Sequence, residues 1–212
     1  MRVERPVWRR FIPRFSGRAA QWVRQGGHAA IQHSDKHIDL LLGVDEQGAV
    51  TESALWAVLA LEQRRYVRVK EGPAKGLFIA RAAVHSLDAV LDWCDRDSIH
   101  EGPTRKMRLD CLECGACCHE ANVILDEEDF ERFREGGRPE LAKKPYVKRS
   151  RDGKVTLRFL DNGRCRNLAE DNKCHIYELR PFNCRVFPVG SEACLAARES
   201  TLSIRDDARA RS

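Results

Sequence analysis

Apolar and polar positions along the first half of the chain predict short strands and helices. The run His37–Val44 is apolar, has strand-like content and ends at a turn signal over residues 45–48. Thr51 is a suitable N-cap for a helix that reaches about Arg65, because apolar residues recur at helical spacing after it. We therefore expect a strand followed by an amphipathic helix.

Two short strands and a second helix follow in the same region. The segments Tyr66–Lys70 and Leu77–Ala80 flank a stretch rich in glycine and proline, which is typical of a turn. The helix over Ala82–Cys94 places apolar residues on one face, and Cys94 belongs to that face. A small α+β region over residues 30–96 is predicted, with Cys94 as a buried core residue.

The second half of the chain predicts less regular structure. Asp126 can cap a helix over Glu127–Glu135 that ends at two glycines. Tyr146–Lys148 and Val155–Leu160 flank a turn signal and predict a β-hairpin. The segment Cys174–Arg180 predicts one or two helical turns, which the following proline ends.

These patterns divide the chain into five segments. Residues 97–108 contain Gly-Pro and mixed charges without periodicity, so we expect a linker there. The expected fold class is α+β: a small α+β N-terminal region precedes an irregular, metal-stabilised domain at 109–195 with a hairpin and short helices. A basic arm at 1–29 and a polar tail at 196–212 flank them.

Composition narrows the class of protein. The chain has 212 residues, of which 42% are hydrophobic and 33% charged, as in globular domains. No apolar run approaches the roughly 18 residues of a membrane span, and the first thirty residues do not resemble a secretory signal. We expect a cytoplasmic protein without a membrane partner.

The positive charge is concentrated at the start of the chain. Seven arginines and one glutamate give residues 1–25 a net charge of +6, whereas residues 26–212 sum to −1. We expect a basic arm over residues 1–29, either disordered or packing its aromatic side chains locally. A nucleic-acid-binding module with this arm is one alternative function, although the nearly neutral body argues against nucleic acid as a partner.

The cysteines are concentrated in the second half. Of nine, only Cys94 precedes residue 110. The others include the string C-x2-C-x2-C-C, in which each C-x2-C step suits a metal and Gly115 can supply a positive φ. The adjacent pair is expected to diverge, which favours two four-thiolate sites or one cluster. The eight candidate ligands are Cys111, Cys114, Cys117, Cys118, Cys165, Cys174, Cys184 and Cys194.

These motifs resemble a known family. The string CLECGACC, followed by GRCRNL, NKCHIYELRPFNCRVFP and a last cysteine, is similar to the CxxCxxCC (YkgJ-type) family of zinc- or iron-chelating domains. The resemblance implies that the eight clustered cysteines are metal-binding positions. It also implies a relation to flagellin lysine N-methylase, so a methylase-like enzyme is an alternative, although residues 1–110 contain no glycine-rich cofactor-binding turn.

The cysteine pattern does not decide between zinc and iron. The first three cysteines have the spacing of ferredoxin-type ligands, which allows a [4Fe-4S] cluster and an iron-sulfur redox enzyme, whereas Cys-Gly knuckles are typical of zinc sites. We expect Zn2+ or iron. A disulfide framework is disfavoured by the tight cysteine cluster and by the absence of a secretory signal.

Other residues were assigned supporting roles. His119 and His175 each follow a cysteine, where an imidazole can replace a thiolate, but we expect them outside the ligand set. Arg180 and Arg185 flank Cys184 and are expected to neutralise thiolate charge. The remaining histidines, at 28, 33, 37, 85 and 100, are expected to be surface or packing residues.

Overall fold

The fold is described from a computed structural model. It describes residues 1–119 and 121–205, which divide into two compact units. The N-terminal unit comprises residues 2–108 and 190–195 together with Arg205. The cysteine-rich unit comprises Met1 and residues 109–189 and 196–204. Each unit is considered by itself below.

Ten strands lie in the described residues, and most of them are short. They are β1 (Arg2–Pro6), β2 (Trp8–Phe11), β3 (His28–Ser34), β4 (His37–Leu42), β5 (Val67–Arg68), β6 (Phe78–Arg81), β7 (Thr104–Arg108), β8 (Ile124–Leu125), β9 (Val147–Arg149) and β10 (Val155–Leu157).

Seven α-helices lie in the same residues, together with several 3-10 turns. The helices are α1 (Ser16–Arg24), α2 (Glu52–Ala60), α3 (Leu87–Asp97), α4 (Cys111–Cys114), α5 (Glu127–Glu135), α6 (Phe182–Arg185) and α7 (Glu192–Leu202). None of these helices is long and apolar enough to cross a membrane.

A five-stranded sheet organises the N-terminal unit. Its strand order is β2-β3-β4-β6-β5, with β2 and β3 parallel and the other neighbours antiparallel. Helix α1 connects the two parallel strands, which cannot be joined by a tight turn. A separate antiparallel pair joins β1 to β7.

Helices cover both faces of this sheet, which explains why β4 carries buried apolar residues on both of its faces. Ile38, Leu40 and Leu42 pack with α2 and α3, whereas Leu41 packs with α1. Thr51 caps α2 as expected, since its side chain accepts a hydrogen bond from the Ala54 amide. Helix and strand layers together bury the core of this unit.

Cys94 lies in that core, as the sequence predicts. Its side chain is buried on α3 among the apolar residues that pack against the sheet. Burial raises the pKa of the Cys94 thiol to about 12. Cys94 therefore serves as a packing residue of the N-terminal unit.

The first 29 residues differ from the expected arm. They contain β1, β2, α1 and the start of β3, and Trp8 has no exposed surface. Arginines of this segment stack on its aromatic rings. The Arg9 guanidinium, for example, lies 4.3 Å from the centre of the Trp22 ring. Apolar burial and these contacts explain why the segment folds although its arginines are frequent.

A buried ion-pair network also holds the first residues of the chain in the folded N-terminal unit. Arg5 donates to Asp97 at 2.8 Å and to Glu192 at 2.9 Å, and all three side chains are less than 7% exposed. The Trp8 amide donates to Asp97 and its indole donates to Glu192. Segment 190–195 thus completes the N-terminal unit, although Glu192 lies 187 residues after Arg5 and 184 residues after Trp8 along the chain.

The expected linker and tail also contain regular structure. Residues 97–108 include β7, whose pairing with β1 the local sequence does not reveal because the partner lies about 100 residues earlier. Residues 196–202 belong to α7. The rest of the expected tail, residues 206–212, lies outside the described residues.

The cysteine-rich unit has a small apolar core of its own. Strands β8, β10 and β9 form an antiparallel sheet in that order, and Phe133 of α5 is fully buried beside it. Asp126 caps α5 through a reciprocal hydrogen-bond pair with Asp129, and the helix bounds agree with the prediction. The fold class is α+β, as expected.

The buried network predicts a large effect of one substitution. Asp97→Asn should lower the free energy of unfolding of the N-terminal unit by about 3–5 kcal/mol, because it removes the buried negative charge that Arg5 and Arg105 both face. Denaturation followed by tryptophan fluorescence measures this, since all four tryptophans lie in the N-terminal unit.

Glu46→Gln is the matched control, since Glu46 is an exposed carboxylate of the same unit. It should change the free energy of unfolding by less than about 0.5 kcal/mol. Equal effects of the two substitutions would show that the network does not stabilise the unit.

Candidate metal centre

The first four cysteines lie on a knuckle formed by two short turns. Helix α4 begins after Asp110, whose carboxylate accepts a hydrogen bond from the Leu112 amide at 2.9 Å. It ends at Gly115, and a 3-10 turn then covers Ala116–Cys118. Cys111 and Cys114 thus lie on the helix, whereas Cys117 and Cys118 lie on the turn.

Gly115 allows this change of direction. Its φ of 60° lies in the left-handed region, as the sequence predicts. A Cβ atom at this position would lie 3.0 Å from the Asn172 carbonyl oxygen and 3.2 Å from the Leu168 side chain. Glycine is therefore required both for the backbone conformation and for the close approach of the segment that precedes Cys174.

Cys117 and Cys118 converge instead of diverging. The 3-10 turn bends the backbone so that the two side chains hydrogen bond to each other. This bond stabilises the Cys117 thiolate and lowers its pKa to about 7, whereas the pKa of Cys118 is raised because its thiol keeps the shared proton. The two neighbouring side chains thus interact with each other, and the number of metal sites stays a prediction.

Backbone bridges bring the later cysteines to the knuckle. The Cys165 amide donates to the Cys118 carbonyl at 2.9 Å, and a β-bridge joins Cys165 to Phe159 just beyond β10. A second bridge pairs Cys174 with Leu168. Cys184 lies on α6, which begins directly after Pro181. The hairpin and two short loops thus present three thiols toward the knuckle segment.

The thiols raise one another's pKa values. Burial raises the pKa of Cys111, Cys165, Cys174 and Cys184, to about 12 at Cys184. The negative charge of Cys117 raises the pKa values of Cys111, Cys174 and Cys184 further. These thiols therefore lose their protons together only if a positive charge compensates them.

We call the seven connected cysteines the thiol cluster. Cys114 joins it because its charge raises the pKa of Cys111. All members lie in the cysteine-rich unit, and all are free thiols. The thiol cluster consists of Cys111, Cys114, Cys117, Cys118, Cys165, Cys174 and Cys184.

Two arginines lie among these thiols. The positive charge of Arg180 lowers the pKa values of Cys111, Cys117, Cys174 and Cys184, and so opposes the effect of burial on these thiols. Arg198 of α7 donates to the Cys114 sulfur at 3.2 Å. Arg198 was not predicted, since nothing in the sequence distinguishes it from other arginines of the expected tail.

Arg180 is itself held in place by its neighbours. Its guanidinium lies 3.6 Å from the centre of the Tyr177 ring, and its Nε donates to the Tyr177 carbonyl. Arg185 is more exposed and instead donates to the Arg180 carbonyl, with its guanidinium near the Phe182 ring. The two arginines that flank Cys184 thus differ in their relation to the thiols.

The eighth candidate ligand lies in the other compact unit. Cys194 is buried on α7 within residues 190–195, which belong to the N-terminal unit, and its amide donates to the Ser191 hydroxyl. His119 is half-buried beside the knuckle, and His175 is exposed. Cys194 therefore belongs to a different compact unit from the seven cysteines of the thiol cluster.

The spacing of the donors sets a condition on metal binding. In residues 1–119 and 121–205, the trio of His, Cys or carboxylate ligand atoms within 4.8 Å of one another is His33, His37 and Asp39. Among the described cysteines, no three sulfurs therefore lie within 4.8 Å of one another. In a formed four-thiolate zinc site, Zn–S bonds of about 2.3 Å place all the sulfurs about 3.8 Å apart. Side-chain movement must close the thiol cluster around an ion.

The low pKa of Cys117 predicts its reactivity in metal-free protein. Iodoacetamide should alkylate Cys117 first at pH 7, because a thiolate reacts and the pKa of this thiol is about 7. The rate should fall below pH 7 as the thiolate gains a proton. Peptide mass spectrometry of briefly treated samples measures the alkylation of each cysteine.

Cys118→Ala provides the matched test of the cause. Removal of the Cys118 thiol removes the hydrogen-bond donor that lowers the pKa of Cys117, so the alkylation rate at pH 7 should fall about 10-fold or more. Cys94 should remain unmodified in both proteins. An unchanged Cys117 rate would contradict the proton sharing between the two side chains.

The comparisons with known proteins concern the cysteine-rich part of the chain. Neither a curated protein nor a solved structure matches this chain. A family model does match, over nearly the same residues as the cysteine motifs. Residues 110–203 match the CxxCxxCC family, described as a putative zinc- or iron-chelating domain, which confirms the resemblance predicted from the cysteine spacing.

Proposed function

We propose that this protein binds zinc or iron through its clustered cysteines. The observation that carries the proposal is the electrostatic connection of the thiol cluster: burial and the negative charge of neighbouring thiols raise the pKa values of five of its seven free thiols. Soft thiolates select zinc and iron-sulfur clusters, and a cation removes the cost of bringing the thiolates together. Cys194 is proposed as an eighth ligand from its place in the cysteine pattern.

The bound metal would serve the structure of the unit first. The segments that carry the thiol cluster contain only short helical turns and isolated bridges, although Cys165, Leu168 and Ile176 belong to the apolar core. Metal ligation would therefore fix the knuckle and the two loops, where regular backbone hydrogen bonding is sparse. An iron-sulfur cluster would in addition supply electron transfer.

The choice between zinc and an iron-sulfur cluster has a direct test. Protein purified without oxygen should be colourless with about two zinc ions per chain if two four-thiolate sites form. A brown protein with acid-labile sulfide would instead support the iron-sulfur alternative, including a redox or methylase-like enzyme. We propose the cytoplasm as its location, because free cysteines persist in reducing compartments.

Contacts within the N-terminal unit favour the metal-binding proposal over the nucleic-acid alternative. Arg5 pairs with buried carboxylates, Arg9 stacks on Trp22, and Arg24 donates to backbone carbonyls near Pro73. These three arginines are therefore less available to phosphate groups of a nucleic acid.

Removal of single thiols should identify the ligands. Cys174→Ser should lower metal affinity by at least about 100-fold, because even residues that only orient ligands change affinity about 10- to 100-fold. Each variant is dialysed against a chelator, and elemental mass spectrometry then measures how much metal it retains. Cys117 and Cys184 should behave in the same way.

Cys94→Ala is the control, because Cys94 lies in the apolar core of the other unit. Its metal content should equal that of the unmodified protein. Cys194→Ser decides the size of the ligand set: unchanged metal content would reduce the set to seven. Full metal retention by all three thiol-cluster variants would contradict the proposed function.

Arg180 should be more important for metal retention than Arg185. Arg180→Gln should weaken metal binding by about 10-fold, because it removes the positive charge that favours the ionised forms of four thiols. Competition with a coloured chelator measures the dissociation constant of each variant.

Arg185→Gln is the matched control, since it removes an equal charge from a residue that the fold directs toward Phe182. It should change the dissociation constant by less than about 3-fold, as for an exposed charge. Equal effects of the two substitutions would show that general charge, and not the position of Arg180, supports the thiolates.

A further inference from the structure

A second group of metal-binding side chains lies in the N-terminal unit, on the hairpin of β3 and β4. Ile31 pairs with Asp39 across these strands, and the register shifts between Gln32 and Ser34. His33 occupies this bulge, which can re-aim a side chain. His37 and Asp39 lie two residues apart on β4 and therefore share one face of the sheet.

The three side chains meet closely on that face. The His33 Nε2 atom lies 3.1 Å from one carboxylate oxygen of Asp39, and the His37 Nε2 atom lies 3.4 Å from the other. The two imidazole rings are 4.7 Å apart between centres. One ligand atom from each residue lies within 4.8 Å of the other two.

Burial distinguishes the carboxylate from a surface acid. Asp39 is only 5% exposed and lies in a strand whose other residues are mostly apolar. The side chains of His33 and His37 cover it while remaining 39% and 34% exposed to solvent. The His37 Nε2 atom is itself buried and makes no hydrogen bond, so the arrangement combines a buried carboxylate and a buried unpartnered nitrogen with the exposed His33 imidazole, from whose side an ion would enter.

The distances suit a transition-metal ion. Bonds of about 2.0–2.1 Å to imidazole nitrogen and carboxylate oxygen, at tetrahedral angles, place two donors about 3.3 Å apart. The two nitrogen-oxygen distances of 3.1 and 3.4 Å bracket this value. Two imidazoles and one carboxylate also form a donor set that binds zinc, iron and nickel.

We propose that His33, His37 and Asp39 form a second metal site, which binds a divalent first-row transition ion such as Zn2+ through nitrogen and oxygen donors. Solvent would supply the remaining ligands on the exposed side. The sequence predicts only surface or packing roles for these histidines, because the bulge that brings His33 to Asp39 is not visible in the residue spacing. A buried aspartate in an apolar strand was the available signal.

Arg81 competes with the ion for Asp39. Its Nε donates to a carboxylate oxygen of Asp39 at 3.0 Å, and the two residues are cross-strand partners of β4 and β6. The Arg81 side chain is 66% exposed, so it can move into solvent when an ion binds. Arg81 therefore limits the affinity of the site without closing it.

Calorimetric titration of the full chain with Zn2+ tests the proposal. His33→Ala together with His37→Ala should reduce the number of bound zinc ions by one, because only one anchoring carboxylate remains. Arg81→Gln should bind this ion about 2- to 5-fold more tightly, since an exposed ion pair no longer competes for Asp39. If His33, His37 and Asp39 formed only an ion-pair cluster and bound no metal, Arg81→Gln would not increase the affinity for zinc.

His85→Ala is the matched control, because His85 is an exposed histidine of the same unit. It should leave zinc binding unchanged. Titration with Co2+ separates the two kinds of site: the cobalt lost in the double variant should lack sulfur-to-metal charge-transfer absorption. Equal zinc stoichiometry in the double variant and the His85 variant would overturn the proposal.

Discussion

Repulsion between neighbouring thiolates is the constraint on which the cysteine-rich unit depends. Seven free thiols lie close enough for charge on one to oppose ionisation of others, and Cys117 and Cys118 share a proton. Arg180 offsets part of this repulsion but carries a single charge. A divalent ion or an iron-sulfur cluster would satisfy the same condition and fix the loops that carry the ligands.

The N-terminal unit depends on charges in a different way. There the buried carboxylates of Asp97 and Glu192 are matched by Arg5 and Arg105. The Trp8 amide donates to the second oxygen of Asp97, and the Trp8 indole donates to the Glu192 oxygen that also accepts from Arg5. The compensation is complete within the protein, so no ion is required. The Asp39 carboxylate differs from both cases, because its partners are two imidazoles and an exposed arginine.

Local features of the fold were predictable from the sequence, and long-range pairings were not. The capping residues Thr51 and Asp126 marked the helices that follow them, and the turn signal at residues 151–154 marked the hairpin of β9 and β10. In contrast, β1 was missed because its partner strand is distant, and Glu192 gave no sign of a buried partner.

The candidate site shows the same division. Cysteine spacing identified the thiols and the role of Gly115, because both are encoded within a few residues. The convergence of Cys117 and Cys118 was not predictable, since it depends on the 3-10 turn. Likewise, the positions of Arg180 and Arg198 relative to the thiols depend on how loops and α7 fold.

X-ray absorption spectroscopy at the metal edge tests the central claim most directly. Protein purified without oxygen should contain zinc or iron whose nearest neighbours are sulfur atoms, at about 2.3 Å for zinc. Protein without metal, or with metal bound to nitrogen and oxygen atoms alone, would contradict the claim that the thiol cluster is a metal centre.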